Sequence, residues 1–203
     1  MSTRLPRGIV ALCALLASTA HAQAPAAPAA NRATAIFAGG CFWCIEKDFE
    51  KLAGVVEVES GYTAGMTTNP RYEQVSAGGT GHTEAVRVIY DPQTVSYPQL
   101  VEYFWRHIDP TVKDRQFCDV GTQYRSGIYW QNEAERKAAE ASRDALLKSG
   151  KFKTIHTELA QASTFWLAED YHQDYYKKNP LRYNYYRKSC GRDARVEEVW
   201  SGK

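Results

Sequence analysis

Charge of one sign, long apolar runs and paired cysteines are all scarce in this 203-residue chain. The apolar stretch Ile9 to Ala17 is too short to span a membrane. Lysine and arginine number 25 against 23 acidic residues, and without Arg4 and Arg7 the two balance. That leaves no electrostatic reason to expect nucleic acid or an anionic membrane as a partner. Cysteines number five, and Cys41 and Cys44 form a close pair. Cys118 and Cys190 stand far apart and alone, which leaves a four-ligand zinc site short of ligands. No internal repeat and no second linker interrupts the chain, so one domain is expected. No acidic residue precedes Glu46, which suits an exported N-terminus.

That N-terminus has the parts of a secretory signal over residues 1–22. Arg4 and Arg7 supply the positive start, Ile9 to Ala17 the apolar stretch, and Ala20-His21-Ala22 the small-x-small cleavage site. Leu12 before Cys13 is too large for a lipoprotein signal. Residues 23–32, rich in Ala and Pro, read as a flexible leader. The mature protein is therefore expected outside the cytoplasm, periplasmic or secreted. Residues 33–203 are enough for a single catalytic domain with its own core.

What is present centres on Gly39-Gly40-Cys41-Phe42-Trp43-Cys44. Ala33 to Ala38 reads as a short strand. Ile45, Phe49 and Leu52 have helical spacing that ends at Gly54. The two glycines make the turn and place Cys41 at the helix start, where unpaired N–H groups and the helix dipole favour a thiolate. A structural disulfide between Cys41 and Cys44 is sterically reasonable, since residues three apart on a helix are roughly 5 Å apart. So small a loop constrains the unfolded chain little, so redox or nucleophilic chemistry is the better reading.

Strands are expected over residues 54–62, 82–90 and 123–130, with a further one over 153–161. Residues 63–81 and 109–121 read as loops. Ser96 to Gln99 forms a capping box for a helix whose core stripe is Tyr97, Leu100, Val101, Phe104, Trp105 and Ile108. Asn132 caps a helix to Ser149, residues 168–178 suggest a short helix, and the last twenty residues show no period. Alternation places Glu84 with Val86, Val88 and Tyr90 on the more apolar strand face. A carboxyl there, without a cation, has a raised pKa and can donate a proton near neutrality; the alternative is a solvated strand end. Tyr72 and Tyr124 lie in polar segments, the second of which also holds Asp119; a tyrosine hydroxyl there can donate to a substrate oxygen or merely pack.

Gly40-Cys41-Phe42-Trp43, Gly81-His82-Thr83-Glu84-Ala85-Val86 and Gly121-Thr122-Gln123-Tyr124-Arg125-Ser126, in this order, resemble the A-type peptide methionine sulfoxide reductases. The similarity runs from about Thr34 to Trp200 and includes Ala168-Glu169-Asp170-Tyr171-His172-Gln173 and Asn179-Pro180. The expected fold is α+β, a two-layer α/β sandwich of the ferredoxin-like plait type, with a mixed sheet and helices mainly on one face. The resemblance implies that Cys41 attacks the sulfoxide sulfur and Glu84 protonates its oxygen. It gives Tyr72 and Tyr124 the role of hydrogen-bonding that oxygen, with Asp119 organising the site. Phe42 and Trp43 would hold the S-methyl group and select the S epimer.

Attack leaves a sulfenic acid on Cys41, which a second thiol must trap. Cys44 is expected to do so first, with Cys190 on a flexible segment exchanging afterwards and Cys118 a small buried residue. No metal or organic cofactor is implied. An external thioredoxin-type reductant is implied, with methionine sulfoxide in proteins, peptides or free as substrate and a monomer as the working form. Two other readings compete. A thioredoxin-like disulfide oxidoreductase would not need Glu84, and a non-catalytic secreted binding module, built on Tyr183, Tyr185 and Tyr186, would need no chemistry at Cys41.

Overall fold

Residues 1 and 31–201 are described by the structure, a computed structural model. The expected signal peptide and leader fall outside the described residues, apart from 1, 31 and 32. The first strand, β1 (Ala33–Gly39), alternates because both sides of it are covered: Ala35 and Phe37 face one core, Ile36 and Ala38 the other. A glycine turn leads into α1 (Phe42–Phe49), which ends before Leu52. The chain returns as β2 (Val55–Thr63). A bulge between Val55 and Glu57 shifts the register, so Val56 is exposed while Val58 is buried.

The loop expected over 63–81 contains a short helix, α2 (Tyr72–Ala77), before β3 (Thr83–Tyr90). Then comes α3 (Tyr97–Trp105), opened where the Ser96 N–H donates to Gln99 Oε1 at 2.8 Å. Its expected stripe, Ile108 included, is entirely buried. The next connection folds into a small hairpin of β4 (Arg115–Gln116) and β5 (Asp119–Val120). A 3-10 turn over Thr122–Tyr124 precedes β6 (Ser126–Trp130), so Tyr124 lies before the strand rather than in it. Asn132 caps α4 (Glu133–Lys148) by accepting from the Glu135 N–H at 3.0 Å.

Two edge strands follow, β7 (Glu158–Gln161) and β8 (Trp166–Leu167). The helix expected over 168–178 shrinks to α5 (Tyr175–Lys178). The tail without a visible period forms two helices, α6 (Pro180–Ser189) and α7 (Arg192–Trp200).

Six strands make one mixed sheet in the order β7-β6-β1-β3-β2-β8, antiparallel except for the β6–β7 pair. Its centre is the ferredoxin-like arrangement: β1-α1-β2 straddles β3, and β3-α3-β6 straddles β1. Helices α1 and α3 bury Ile45, Phe49, Leu100 and Phe104 against the face that carries Phe37, Val86 and Val88. The opposite face is covered partly by Ala160, Ala162 and Phe165. No helix among the described residues is long and apolar enough to cross a membrane.

Candidate active site

Strand register brings the site together. In the β1–β3 pair Phe37 faces Val86, so two residues further on the end of β1 lies beside Glu84. In the β1–β6 pair Gly39 faces Ser126, which places the turn bearing Tyr124 at the same end. Gly39 and Gly40 then bend the chain into α1. Gly40 has φ +81°, and a Cβ there would stand 2.6 Å from the Gln116 Cβ, so only glycine fits. Cys41 is the N-cap of α1, and its carbonyl accepts from the Cys44 N–H at 3.1 Å.

A cavity of about 70 Å³ opens there, lined by Cys41, Phe42, Trp43, Tyr72, Glu84, Asp119 and Tyr124. Every residue proposed from the sequence for sulfoxide chemistry or methyl binding therefore meets in one place. Tyr186 of α6 is an eighth wall, and its hydroxyl donates to Asp119 Oδ2. Sequence reasoning gave Tyr186 no place in the chemistry, because it sits in the segment where no period was visible.

The electrostatics depart from one expectation. The first free amide of α1, the Phe42 N–H, donates to Glu84 Oε2 at 3.0 Å, so this part of the helix terminus is engaged by a carboxyl. Cys41 is 6 % exposed, and burial pushes its thiol well above the ordinary range, against the thiolate expected from the dipole. Burial also lifts the Glu84 carboxyl to about 8, the charge of Asp119 adds to the lift, and the Phe42 N–H opposes it. Glu84 is thus a neutral acid at pH 7. Burial pushes Tyr72 up to about 12 and raises Tyr124 as well, keeping both as hydroxyl donors. Asp119 is raised by burial, with the Tyr186 hydroxyl and Arg192 pulling the other way.

A family model described as peptide methionine sulfoxide reductase matches residues 33–203. The chain belongs to that family. It is 47 % identical over 196 residues to peptide methionine sulfoxide reductase MsrA 2 of Caulobacter vibrioides, covering 97 % of this chain and all of that one. Among solved structures, methionine sulfoxide reductase A of Corynebacterium diphtheriae aligns with a TM-score of 0.67 at 37 % identity, covering 76 % of this chain and 78 % of that one. Reduced Mxr1 of Saccharomyces cerevisiae aligns with a TM-score of 0.69 at 30 % identity, covering 73 % and 86 %. The chain is an oxidoreductase of the peptide methionine sulfoxide reductase family, with the family's α+β fold.

The cysteines of this family member differ in state from what the sequence suggested. Cys41 and Cys44 are free and buried. Cys118 and Cys190 form a disulfide, with sulfurs 2.06 Å and Cα atoms 5.0 Å apart. Cys118 is exposed, not a buried small residue, because the β4–β5 hairpin carries it to the surface. Cys190 does not sit on a flexible segment: it ends α6, and Gly191 connects it directly to α7.

Two arginines lie beneath Cys44. Arg187 Nη1 reaches the Cys44 carbonyl at 3.5 Å and Asp48 Oδ1 at 3.0 Å. Arg192, 2 % exposed, donates to the carbonyls of Gly39 at 3.1 Å and His107 at 2.9 Å. The neighbouring Cys41 thiol and the charges of Arg192 and Arg187 lower the pKa of Cys44 against the opposing effect of burial.

Proposed function

We propose that this protein reduces the S epimer of methionine sulfoxide, free and in peptides and proteins, to methionine. The observation that carries the reading is the shared cavity, in which a neutral buried carboxylic acid, Glu84, faces a buried thiol, Cys41. Membership of the reductase family supports it. A sulfoxide sulfur is a poor electrophile until its oxygen is protonated or strongly hydrogen-bonded. Glu84 supplies that proton, and Tyr72 and Tyr124 donate hydrogen bonds to the same oxygen. The Cys41 sulfur attacks, the S–O bond of the substrate breaks, and the hydroxyl passes to Cys41 as a sulfenic acid. The substrate sulfur gains two electrons, the Cys41 sulfur loses two, and the thiol proton replaces the one Glu84 gave. Phe42 and Trp43 receive the methyl group. Inverting the sulfur would turn the oxygen toward these rings, which offer it no hydrogen bond along their apolar faces.

Recycling begins at Cys44, one helical turn from Cys41. Its sulfur attacks the sulfenic acid, water leaves, and a Cys41–Cys44 disulfide forms. An external thioredoxin-type dithiol then supplies two electrons. Cys118–Cys190 is the surface disulfide; once reduced, Cys190 exchanges with the buried pair and carries those electrons inward. No metal or organic cofactor enters the scheme. The signal-like leader supports a working place outside the cytoplasm, periplasmic or secreted, and a role in repairing oxidised exported proteins. Residues 33–203 act as the single catalytic domain.

Cys41→Ser tests the assignment directly. The folded variant is expected to release no methionine from the S-sulfoxide in a single turnover, and appreciable release would sink the scheme. Mass mapping of disulfides after one equivalent of sulfoxide is expected to find Cys41–Cys44 beside an intact Cys118–Cys190.

A further inference from the structure

His172 lies outside the cavity yet touches three of its walls. It is 2 % exposed, held in the turn after β8, where its N–H donates to the Glu169 carbonyl at 2.8 Å. The imidazole packs on Tyr72 with ring centroids 4.5 Å apart, on Phe42 at 4.9 Å and on Trp43 at 5.7 Å. The Trp43 indole donates from Nε1 to His172 Nδ1 at 3.0 Å. An indole nitrogen can only donate, so Nδ1 must be the bare nitrogen and the ring proton must sit on Nε2. Nε2 itself is buried without a hydrogen-bond partner, and Glu169 Oε2 faces it from 4.0 Å.

Glu169 extends the bracket. Its Oε1 accepts the N–H of Tyr72 at 2.9 Å, and its Oε2 accepts the Tyr62 hydroxyl at 2.9 Å. One short segment, Glu169 to His172, therefore sets both the indole bordering the methyl site and the backbone of a tyrosine directed at the oxygen. Burial keeps His172 neutral at physiological pH, lowering its pKa to about 4 against the pull of Glu169. Protonation would place a hydrogen on Nδ1 and break the bond to Trp43.

We propose that His172, as the neutral tautomer protonated on Nε2, is a positioning residue that fixes the Trp43 indole and thereby sets affinity for the S-methyl group and discrimination between sulfoxide epimers. The proposal rests on the reductase reading for its kinetic consequence, but its geometry stands apart from it. His172 touches no reacting atom. It fixes the wall on which the methyl group lies, so its loss weakens binding of the correct epimer more than the chemical step.

The experiment pairs nitrogen-15 NMR of the whole wild-type protein with two variants. In the wild type, His172 Nδ1 should be the unprotonated nitrogen and should show coupling across the hydrogen bond to an indole proton that disappears in Trp43→Phe. His172→Phe keeps an aromatic ring but removes the acceptor. Single-turnover methionine release should then half-saturate at roughly tenfold higher S-sulfoxide concentration, the effect of one unpaired buried donor, with the saturated rate little changed. His172→Asn, whose side-chain oxygen can take the place of Nδ1, should recover most of the affinity. A proton on Nδ1 in the wild type overturns the proposal. So does a folded His172→Phe with unchanged half-saturation and epimer ratio, or His172→Asn no better than His172→Phe. If His172→Phe does not fold, the NMR result and His172→Asn decide. A wild type inert toward the S-sulfoxide would instead refute the reductase reading, leaving the tautomer measurement to judge the geometry.

Discussion

Glu84 concentrates the conflict between folding and chemistry at the scale of one residue. Its carboxyl is raised from an ordinary 4.5 to about 8, mainly by burial. Between those two values the folded protein holds a proton that the unfolded chain has released, so stability falls as pH rises across that window. The deficit at pH 7 reaches up to about 3 kcal/mol by linkage. Glu84→Gln should therefore raise the thermal midpoint at pH 7 and flatten its decline toward pH 8. The same substitution removes the proposed proton donor. Single-turnover reduction should drop by about 10² to 10⁴-fold below pH 8. Wild type should approach the variant above pH 8, where Glu84 ionises. Stopped mixing with S-sulfoxide across that range checks both limbs, and a constant ratio would remove Glu84 as the acid.

Among the elements, the C-terminal helices are held to the active site by neighbouring links. Cys190 bonds Cys118, and Tyr186, one turn earlier on α6, donates to the adjacent Asp119. The disulfide joins residues 72 apart, which by chain entropy contributes about 4 kcal/mol. Cys118→Ser should lower the thermal midpoint by several degrees and, by loosening Tyr186, reduce single-turnover activity even with Cys41 and Cys44 intact. Calorimetry with methionine release under identical buffer conditions tests this. These helices also mark where sequence reading stopped. The α3 stripe and the Gly39-Gly40 turn were legible because apolar spacing and glycine act locally. The α6 and α7 segments bury Tyr183 and Arg192 rather than aliphatic residues, and a buried arginine looks like surface in a sequence. A six-residue helix such as α2, set among glycines and threonines, is too short to show a period. The candidate site residues were legible through family segments and strand alternation; His172 stood in one of those segments, but its contact with Trp43 and those of the two arginines cross 85 or more positions.

For the whole molecule, balanced charge is itself a constraint on partners. Lysine and arginine exceed acids by only two over the full chain. Diffusional capture of a neutral methionine sulfoxide peptide should therefore change by less than about twofold between low and high salt, because a net charge near zero leaves little long-range attraction to screen. Steady-state kcat/KM against ionic strength measures this, and a steep slope would point to a charged docking surface.

The smallness of the cavity, about 70 Å³ around a sulfur nearly sealed from solvent, has a consequence for clients rather than for catalysis. An oxidised side chain must leave its own surroundings and extend fully into the enzyme before any bond can change. On the proposed function, repair is then gated by how often the client lends out that side chain, which makes the enzyme a reader of local opening in other proteins. Methionine sulfoxides in loose tails should be cleared at the enzyme's own pace, while those packed in a client's core should wait for its breathing motions. Comparing repair rates at several sites of one client with hydrogen-exchange rates at the same sites should give two parallel rankings.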